Sequence, residues 1–239
     1  MRVEIWSDIA CPWCYVGKAR FEKALAGFAH RDAVEVVHRS FELDPNRAED
    51  DVEPVLTLLT RRYGMSQEQA EAGEDRLGAQ AAAEGLDYRA RGRDHGSTFA
   101  MHRLLHFAKE QGRQSELLDA LYRANFAEDR SVYAEGAERL VELAAAAGLD
   151  AGAARAVLAD PDAYADAVRA DEREAAELGA TGVPFFVLDR AYGVSGAQPV
   201  EVFAQALEQA WGERAPLLRP VGQDEAQACG PDGCAVPQN

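Results

Sequence analysis

The sequence predicts an α/β protein in which a strand–helix–strand unit comes first, a long helical block follows, and a strand–strand–helix unit ends the fold. Apolar runs with strand character lie near both ends of the chain, at about residues 3–9, 34–41 and 183–195. Between them, residues 49–178 combine helical periodicity with helix-capping residues and show almost no strand pattern. The expected order is therefore βαβ, then helices, then ββα.

The start of the chain predicts the βαβ unit. Residues 3–9 form a buried strand, and a helix begins at Pro12, where the missing proline N–H costs nothing, and ends near Ala29. Residues 34–41 are rich in β-branched side chains and form a second strand. Because a helix connects the two strands, they are expected to pair in parallel.

The helical block is expected to contain about five to seven helices. Their boundaries are predicted at Ser66, Gly96-Ser97-Thr98, Gly148, Asp150, Asp160-Pro161 and Gly179. Asp150 is expected to cap one helix. Asp160-Pro161 is expected to begin another, with aspartate as the N-cap and proline at the first helical position, and Gly179 to end it.

The strand pattern returns at residues 183–188, and a turn at Asp189-Arg190 leads to another strand over residues 191–195. These two strands predict an antiparallel hairpin. A final helix follows Pro199 with its apolar residues on one face, and the segment from Gly212 onward is rich in proline, glycine and glutamine.

The composition narrows the class of protein. The formal net charge of −16 and the apolar fraction of 47% suit a globular protein and argue against nucleic acid or an anionic membrane as a partner. No apolar run approaches the ~20 residues that span a bilayer. With Met1 taken as the native start, no signal-peptide pattern is present, and we expect a cytoplasmic protein.

Two cysteines, Cys11 and Cys14, frame a Cys-Pro-Trp-Cys tetrapeptide between the first strand and the first helix. Unpaired backbone N–H groups and the helix dipole stabilise negative charge at a helix N-terminus, and the thiolate is the reactive form of cysteine. Cys11 is therefore expected to attack a disulfide, and Cys14, one turn further on, to resolve the mixed disulfide. Half of a zinc site is the alternative for a CxxC motif taken by itself.

A second pair, Cys229 and Cys234, flanks Gly-Pro-Asp-Gly near the other end of the chain. Proline at the second turn position and glycine at the fourth favour a type I turn, which can bring two Cα atoms within the ~4.4–6.8 Å of a disulfide. We expect a second redox pair that exchanges with Cys11 and Cys14. An incidental or metal-binding tail is the alternative.

Two further polar positions are candidates for an accessory role. Asp8 stands three residues before Cys11, where its carboxylate can accept protons near the thiols or simply cap the loop. His102 and His106 are four residues apart and can share one helix face. Because no third ligand is evident near them, we expect a packed or exposed histidine pair and no metal site.

Three segments, in order along the chain, resemble one family. They are Ser7-Asp8-Ile9-Ala10-Cys11-Pro12-Trp13-Cys14, Gly182-Val183-Pro184-Phe185-Phe186-Val187 and Val194-Ser195-Gly196-Ala197-Gln198-Pro199. Together they resemble the DsbA-like branch of the thioredoxin superfamily, and more narrowly its FrnE group. Related branches are the 2-hydroxychromene-2-carboxylate isomerases and the kappa-class glutathione transferases.

The resemblance, which extends from Met1 to about Trp211, implies an organisation of the chain. A thioredoxin-like domain is formed by residues 1–48 and 180–212 together, and an all-helical insertion by residues 49–179. Residues 213–239 form a tail that carries the second cysteine pair.

The resemblance also implies roles for individual residues. Cys11 is the nucleophile and Cys14 the resolving thiol. Pro12 and Trp13 alter helix geometry and thiolate stability and are candidate substrate-binding residues, with Trp13 either contacting substrate or merely covering the site. Val183-Pro184 matches the cis-proline position of the superfamily, where the extended backbone of residue 183 pairs with a substrate strand. His102 lies in a segment that resembles a family helix facing the active site.

The leading functional hypothesis is a thiol–disulfide oxidoreductase or isomerase that acts on protein disulfides. It needs no cofactor beyond its redox-active disulfide, with glutathione as a candidate co-substrate, and it is recycled by an unidentified reductant or oxidant. A monomer or a homodimer is expected. Two alternatives are a glutathione-dependent isomerase or transferase acting on a small molecule, and a non-enzymatic metal binder that uses all four cysteines.

Overall fold

The computed structural model describes residues 1–214, and a four-stranded sheet of order β2–β1–β5–β6 organises them. β1 (Arg2–Ser7) pairs in parallel with β2 (Glu35–Ser40). β5 (Phe185–Leu188) pairs antiparallel with β1 on one side and with β6 (Tyr192–Ser195) on the other. The predicted parallel pair and the predicted hairpin are thus confirmed, and β1 and β5 bring distant parts of the chain side by side.

One face of the sheet is covered by α1 (Pro12–Gly27) and α9 (Val200–Gly212), which pack against each other. Phe21 of α1 anchors this layer, with its ring centroid 5.4 Å from that of Phe186 and 5.8 Å from that of Phe203. Burial of these large aromatic rings stabilises the packing of α1 against the sheet.

Seven helices lie between β2 and β5 within the described residues, in agreement with the predicted number. They are α2 (Val55–Tyr63), α3 (Gln67–Ala83), α4 (Phe99–Glu110), α5 (Gln114–Phe126), α6 (Ala137–Ala146), α7 (Ala151–Ala159) and α8 (Ala165–Glu177). A two-residue ladder of β3 (Glu53–Pro54) and β4 (Asp94–His95) was not predicted, because two residues are too few to show strand alternation.

Two helix starts are confirmed by their capping bonds. Ser66 and Gln69 form a reciprocal capping box at the start of α3. The Asp150 carboxylate accepts the backbone N–H of Ala153 at 2.7 Å at the start of α7. Within residues 1–214, none of the helices is long and apolar enough to cross a membrane.

The predicted helix start at Asp160-Pro161 is wrong, since α8 begins at Ala165. Asp160 instead ends α7, and its carboxylate accepts the backbone N–H of Asp162 at 3.0 Å. This local side-chain bond favours a turn over a helix. The Arg103 guanidinium, which donates to the Asp160 carbonyl at 2.5 Å, holds the turn in place.

Candidate active site at the thiol pair

The loop from β1 to α1 is shaped by Asp8. Its carbonyl accepts the Cys11 N–H at 3.1 Å, and its carboxylate accepts the Ala10 N–H at 3.1 Å. The Asn125 side-chain amide also donates to the Ile9 carbonyl at 2.8 Å. Because these bonds turn the chain sharply, β1 ends two residues earlier than predicted and Cys11 is placed at the N-terminus of α1.

Cys11 is the N-cap residue of α1, with extended backbone angles and its carbonyl accepting the Cys14 N–H at 3.0 Å. Pro12 occupies the first turn as predicted, and that turn contains no acidic side chain. Cys11 and Cys14 are free thiols with exposed fractions of 5% and 1%. The positive end of the helix dipole is therefore available to a thiolate at Cys11.

The loop before β5 lies against Cys11. The Val183–Pro184 peptide bond is cis, which is the geometry that the resemblance implies. The Cys11 thiol lies 3.6 Å from the Val183 carbonyl oxygen, to which it donates a hydrogen bond. Cys11 and Val183, which the sequence places far apart, thus form one site.

Gly17 is a site residue that sequence reasoning missed. A Cβ at this position of α1 would lie 2.9 Å from Pro184 Cγ and 3.3 Å from Ala197 Cβ. A glycine inside a helix costs roughly 0.5–1 kcal/mol relative to alanine, so it needs a reason. Here the reason is the close approach of the cis-proline loop. The glycine inside a helical pattern was the sequence signal that could have indicated this contact.

Asp8 and His102 form a buried pair behind the thiols. His102 Nε2 lies 3.5 Å from Asp8 Oδ1, but without good hydrogen-bond geometry, and no other described residue bonds either ring nitrogen. Burial by itself raises the pKa of the Asp8 carboxyl. The His102 ring and the Leu43 and Ala10 N–H donors outweigh burial, and the pKa falls below its usual value. Asp8 is therefore a buried carboxylate at neutral pH.

Cys14 differs from Cys11 in its surroundings. Burial raises the pKa of the Cys14 thiol well above its usual value, and the adjacent Cys11 and the Asp8 carboxylate act in the same direction. Cys14 therefore keeps its proton at neutral pH. For Cys14 to act as a nucleophile, a neighbouring group must accept that proton.

A groove with a volume of about 630 Å³ opens beside the tetrapeptide. Pro12 and Trp13 form one side, and α2 and α3 form the other. Its apolar lining includes Leu43, Val55, Leu58, Leu59, Tyr63, Met65 and Leu77. Trp13 and Tyr63 leave 44% and 64% of their surfaces exposed, so the groove presents aromatic side chains to solvent. Sequence reasoning identified Trp13 but not the wall from α2 and α3.

His102 and His106 face different side chains. His106 Nε2 lies 3.2 Å from Asp171 Oδ2 and 3.2 Å from Ser40 Oγ, whereas His102 faces Asp8. Within residues 1–214, no three histidine, cysteine or acidic side chains are grouped so that they could hold a metal ion. Cys229 and Cys234, the predicted second redox pair, lie outside the described residues.

A mixed four-stranded sheet, a CxxC pair at the start of the first helix, a cis-proline loop against that pair and a helical insertion together define a thioredoxin-like thiol protein. The chain belongs to the family of the DSBA-like thioredoxin domain, whose family model matches residues 2–208.

Individual relatives agree with this assignment. The structure resembles that of a probable DsbA oxidoreductase from Streptomyces coelicolor, with 78% identity, a TM-score of 0.89 and full coverage of both chains. The sequence is 29% identical over 208 residues to the uncharacterized protein YwbO of Bacillus subtilis (strain 168), covering 87% of this chain and 96% of YwbO. The cytosolic disulfide reductase DsbM of Pseudomonas aeruginosa, solved with GSH, shares the fold at 19% identity and a TM-score of 0.60, with 89% and 100% coverage. The family and its relatives support a thiol oxidoreductase.

Proposed function

We propose that this protein is a thiol–disulfide oxidoreductase or isomerase of protein disulfides, with Cys11 as the nucleophile and Cys14 as the resolving thiol. The observation that carries the proposal is the position of Cys11. Its sulfur lies at the N-terminus of α1, 3.6 Å from the Val183 carbonyl, and its neighbours Ala10 and Pro12 line a largely apolar groove.

The chemistry proceeds through one intermediate. The Cys11 thiolate attacks a substrate disulfide, the substrate S–S bond breaks, and the departing substrate sulfur takes up a proton. Cys14 then loses its proton and attacks Cys11, which releases the second substrate thiol and leaves a Cys11–Cys14 disulfide. The substrate gains two electrons and the enzyme loses two. Run in reverse, the same steps oxidise a substrate dithiol. If a second thiolate of the substrate attacks the mixed disulfide before Cys14 does, a new substrate disulfide forms and the Cys11 thiolate is released, which is isomerisation.

Asp8 and His102 supply the proton transfer for the second step. The pKa of Cys14 is raised by burial, whereas Asp8 stays ionised beside it. Asp8 takes the Cys14 proton when Cys14 attacks, and His102, 3.5 Å away, is the positioning residue that favours the Asp8 carboxylate.

The groove favours a polypeptide substrate. The groove volume of about 630 Å³ lies within the ~300–1,000 Å³ range of ligand clefts, and the apolar part of its lining suits apolar side chains on either side of a substrate cysteine. Trp13 and Pro12 contact those side chains, and the backbone of Val183 pairs with the substrate strand. Glutathione is then a recycling co-substrate, not the main ligand.

The Cys229–Cys234 pair serves as a second dithiol that exchanges with the first. The chain leaves α9 near Trp211, whose ring lies 5.8 Å from that of Phe28, at the end of α1 far from Cys11. α1 has 16 residues and a length of ~24 Å. Cys229 is fifteen residues beyond Arg214, a reach of up to ~50 Å, so the distance does not forbid exchange with Cys11.

Two closely spaced cysteine pairs are more typical of redox-active thiols than of structural disulfides, and redox-active thiols suit a reducing compartment. We place the protein in the cytoplasm on that basis. Separation of cell fractions under thiol-blocking conditions, followed by detection of the chain and its thiol state, tests the location.

The decisive experiment traps the intermediate. Cys14→Ser should accumulate mixed disulfides between Cys11 and protein substrates, identifiable by mass spectrometry after thiol blocking. Cys11→Ser should abolish both trapping and insulin reduction. Full insulin reduction by Cys11→Ser would refute the proposal.

Glutathione-dependent turnover of a small molecule that survives Cys14→Ser would instead indicate a glutathione-dependent isomerase or transferase. Stoichiometric metal in the reduced protein would indicate a metal binder.

The second pair needs its own variant. Cys229→Ser with Cys234→Ser should leave a single insulin turnover intact but slow the recycling of the Cys11–Cys14 disulfide severalfold. Equal recycling rates in the variant and the wild type would exclude the second pair from the cycle.

A further inference from the structure

A second cavity, with a volume of about 140 Å³, lies in the helical insertion between α4 and the start of α6. It shares no lining residue with the groove beside Trp13. Its apolar walls are Val52, Ala100, Met101, Val132, Leu140 and Leu158. A cavity of about this size holds a benzene-sized molecule.

A buried cation lines this cavity. Arg103 is 2% exposed, and no carboxylate of the described residues lies within ion-pair distance of it. Its terminal nitrogens donate to the backbone carbonyls of Val157 at 2.9 Å and Asp160 at 2.5 Å, but its Nε has no hydrogen-bond partner in the same part of the chain. A buried donor without a partner is costly, so a ligand that accepts from it gains stability.

The start of α6 also lies at the cavity. Gly136, the N-cap of this ten-residue helix, and Ala137 line it, and no side chain caps the helix. The acid in the first turn, Glu138, is paired with Arg155 at 2.9 Å. The Glu138 N–H donates to the Glu135 carbonyl at 3.3 Å, and the positive end of the helix dipole favours an anion here.

Two hydroxyl groups complete the polar lining. Tyr133 lines the cavity, and its hydroxyl is buried without a well-oriented hydrogen-bond partner among residues 1–214. Ser97 lines it as well. The one acid of the lining, Glu49, is exposed to solvent, which screens its charge. The polar groups of the cavity are therefore mainly donors, while its walls are apolar.

We propose that this cavity is a binding site for a small organic acid, a carboxylate on an aromatic or compact aliphatic body. The apolar walls hold the body of the ligand. The Arg103 Nε–H, the Tyr133 hydroxyl and the N-terminus of α6 hold the carboxylate. Inorganic phosphate would satisfy the donors but leave the apolar walls against water, so it should bind more weakly.

Benzoate is the probe for the test. In an NMR titration of the full chain, benzoate should bind saturably at one site and shift resonances of Ala100 and Leu140. Benzamide, which has the same shape without the charge, and inorganic phosphate should each bind at least tenfold more weakly. Ala100→Leu, which fills the cavity with apolar atoms, should weaken benzoate binding at least tenfold. Tyr133→Phe, which keeps the ring, should weaken it severalfold.

Tyr63→Ala, in the separate groove, is the matched control and should change benzoate affinity less than twofold. The proposal is overturned if benzoate does not saturate by ~10 mM, a concentration at which even a ligand with a Kd of ~1 mM fills its site. It is equally overturned if Tyr63→Ala, and not Ala100→Leu, abolishes binding, or if benzamide binds as well as benzoate.

Discussion

The thiol sulfur of Cys11 lies 3.6 Å from the carbonyl oxygen of Val183, although 172 positions separate the two residues along the chain. Strand pairing explains this contact. Trp6 of β1 pairs with Phe185 of the antiparallel strand β5, so the segment that follows β1 and the segment that precedes β5 leave the sheet at the same end of the strands. The spacing between thiol and carbonyl is therefore set by the sheet and by how closely α1 approaches the loop.

Gly17→Ala should disturb that approach. The new Cβ would lie 2.9 Å from the Pro184 ring and 3.3 Å from Ala197, so the loop must move away from α1 and carry Val183 with it. Because misplacement of reacting groups by about 1 Å can cost ~10²-fold in rate, we expect insulin reduction to fall by tenfold or more. The measurement is the rate of insulin reduction, together with thermal unfolding.

Gly27→Ala is the control for this prediction. It changes the same helix at a glycine where an added Cβ meets nothing within 4 Å. Its activity should match that of the wild type. If both variants keep full activity, the close contact of Gly17 with the loop has no part in catalysis.

His102→Gln should slow the step in which Cys14 attacks the mixed disulfide. The ring lies 3.5 Å from the Asp8 carboxylate and lowers the pKa of that group, so its loss leaves less Asp8 in the ionised form that we propose accepts the Cys14 proton. Proton transfer by a positioned group contributes ~10²–10⁴-fold, so Asp8→Asn should slow resolution at least tenfold and His102→Gln somewhat less. The rate at which a preformed mixed disulfide releases its thiol, measured against pH, is the readout.

His106→Gln is the matched control, because it lies one turn further along α4 and contacts Asp171 and Ser40 instead of Asp8. It should change the release rate less than twofold at every pH. A release rate in His102→Gln that equals the wild type across the pH range would make the Asp8–His102 pair purely structural.

Much of the fold could be predicted because its signals are local. Strand composition, the proline at the start of α1 and the caps at Ser66 and Asp150 each act over a few residues. The start of α8 could not be predicted in the same way. Arg103, far away in sequence, holds the Asp160 turn and overrides a proline that favours a helix start.

The candidate site likewise has a part that local sequence signals predict and a part that depends on contacts distant in sequence. Cys11, Cys14 and Trp13 lie in one motif and could be identified from it. The groove wall from α2 and α3 and the contact of His102 with Asp8 depend on tertiary packing, and no local pattern marks them. The position of Pro184 followed only from family resemblance, since an isolated X–Pro bond carries little information about its isomer.

Trp13→Ala and Tyr63→Ala should weaken polypeptide binding without impairing the thiol chemistry. Both rings are exposed in the groove beside Cys11, where they can cover apolar side chains of a substrate. Loss of one such contact removes roughly 1–2 kcal/mol, so KM for a disulfide-bonded peptide should rise about five- to thirtyfold. The rate with a small aromatic disulfide, which does not fill the groove, should change less than threefold.

Val202→Ala, which removes an exposed apolar side chain from α9, is the control for the groove variants. It should leave both rates unchanged. Equal losses with the peptide and the small disulfide would mean that Trp13 acts on the thiols and not on substrate binding.

His38 should make the protein less stable as the pH falls. Burial, together with Lys18, lowers the pKa of this β2 histidine to about 3, so the folded chain keeps it neutral. An unfolded histidine binds its proton below ~6.5. Between these values the unfolded chain binds more protons, so the free energy of unfolding falls as pH falls, by up to ~1.4 kcal/mol per pH unit.

Urea unfolding of the wild type and His38→Asn between pH 7 and 4.5 checks this prediction. The variant loses packing and should be the less stable protein at pH 7, but it has no group to protonate at this position. The difference between the two proteins should therefore shrink by roughly 1–2 kcal/mol by pH 5. His30→Asn, at an exposed histidine, leaves His38 in place and should keep the acid sensitivity of the wild type. A constant difference between wild type and His38→Asn over this range would show that His38 is not held neutral in the folded state.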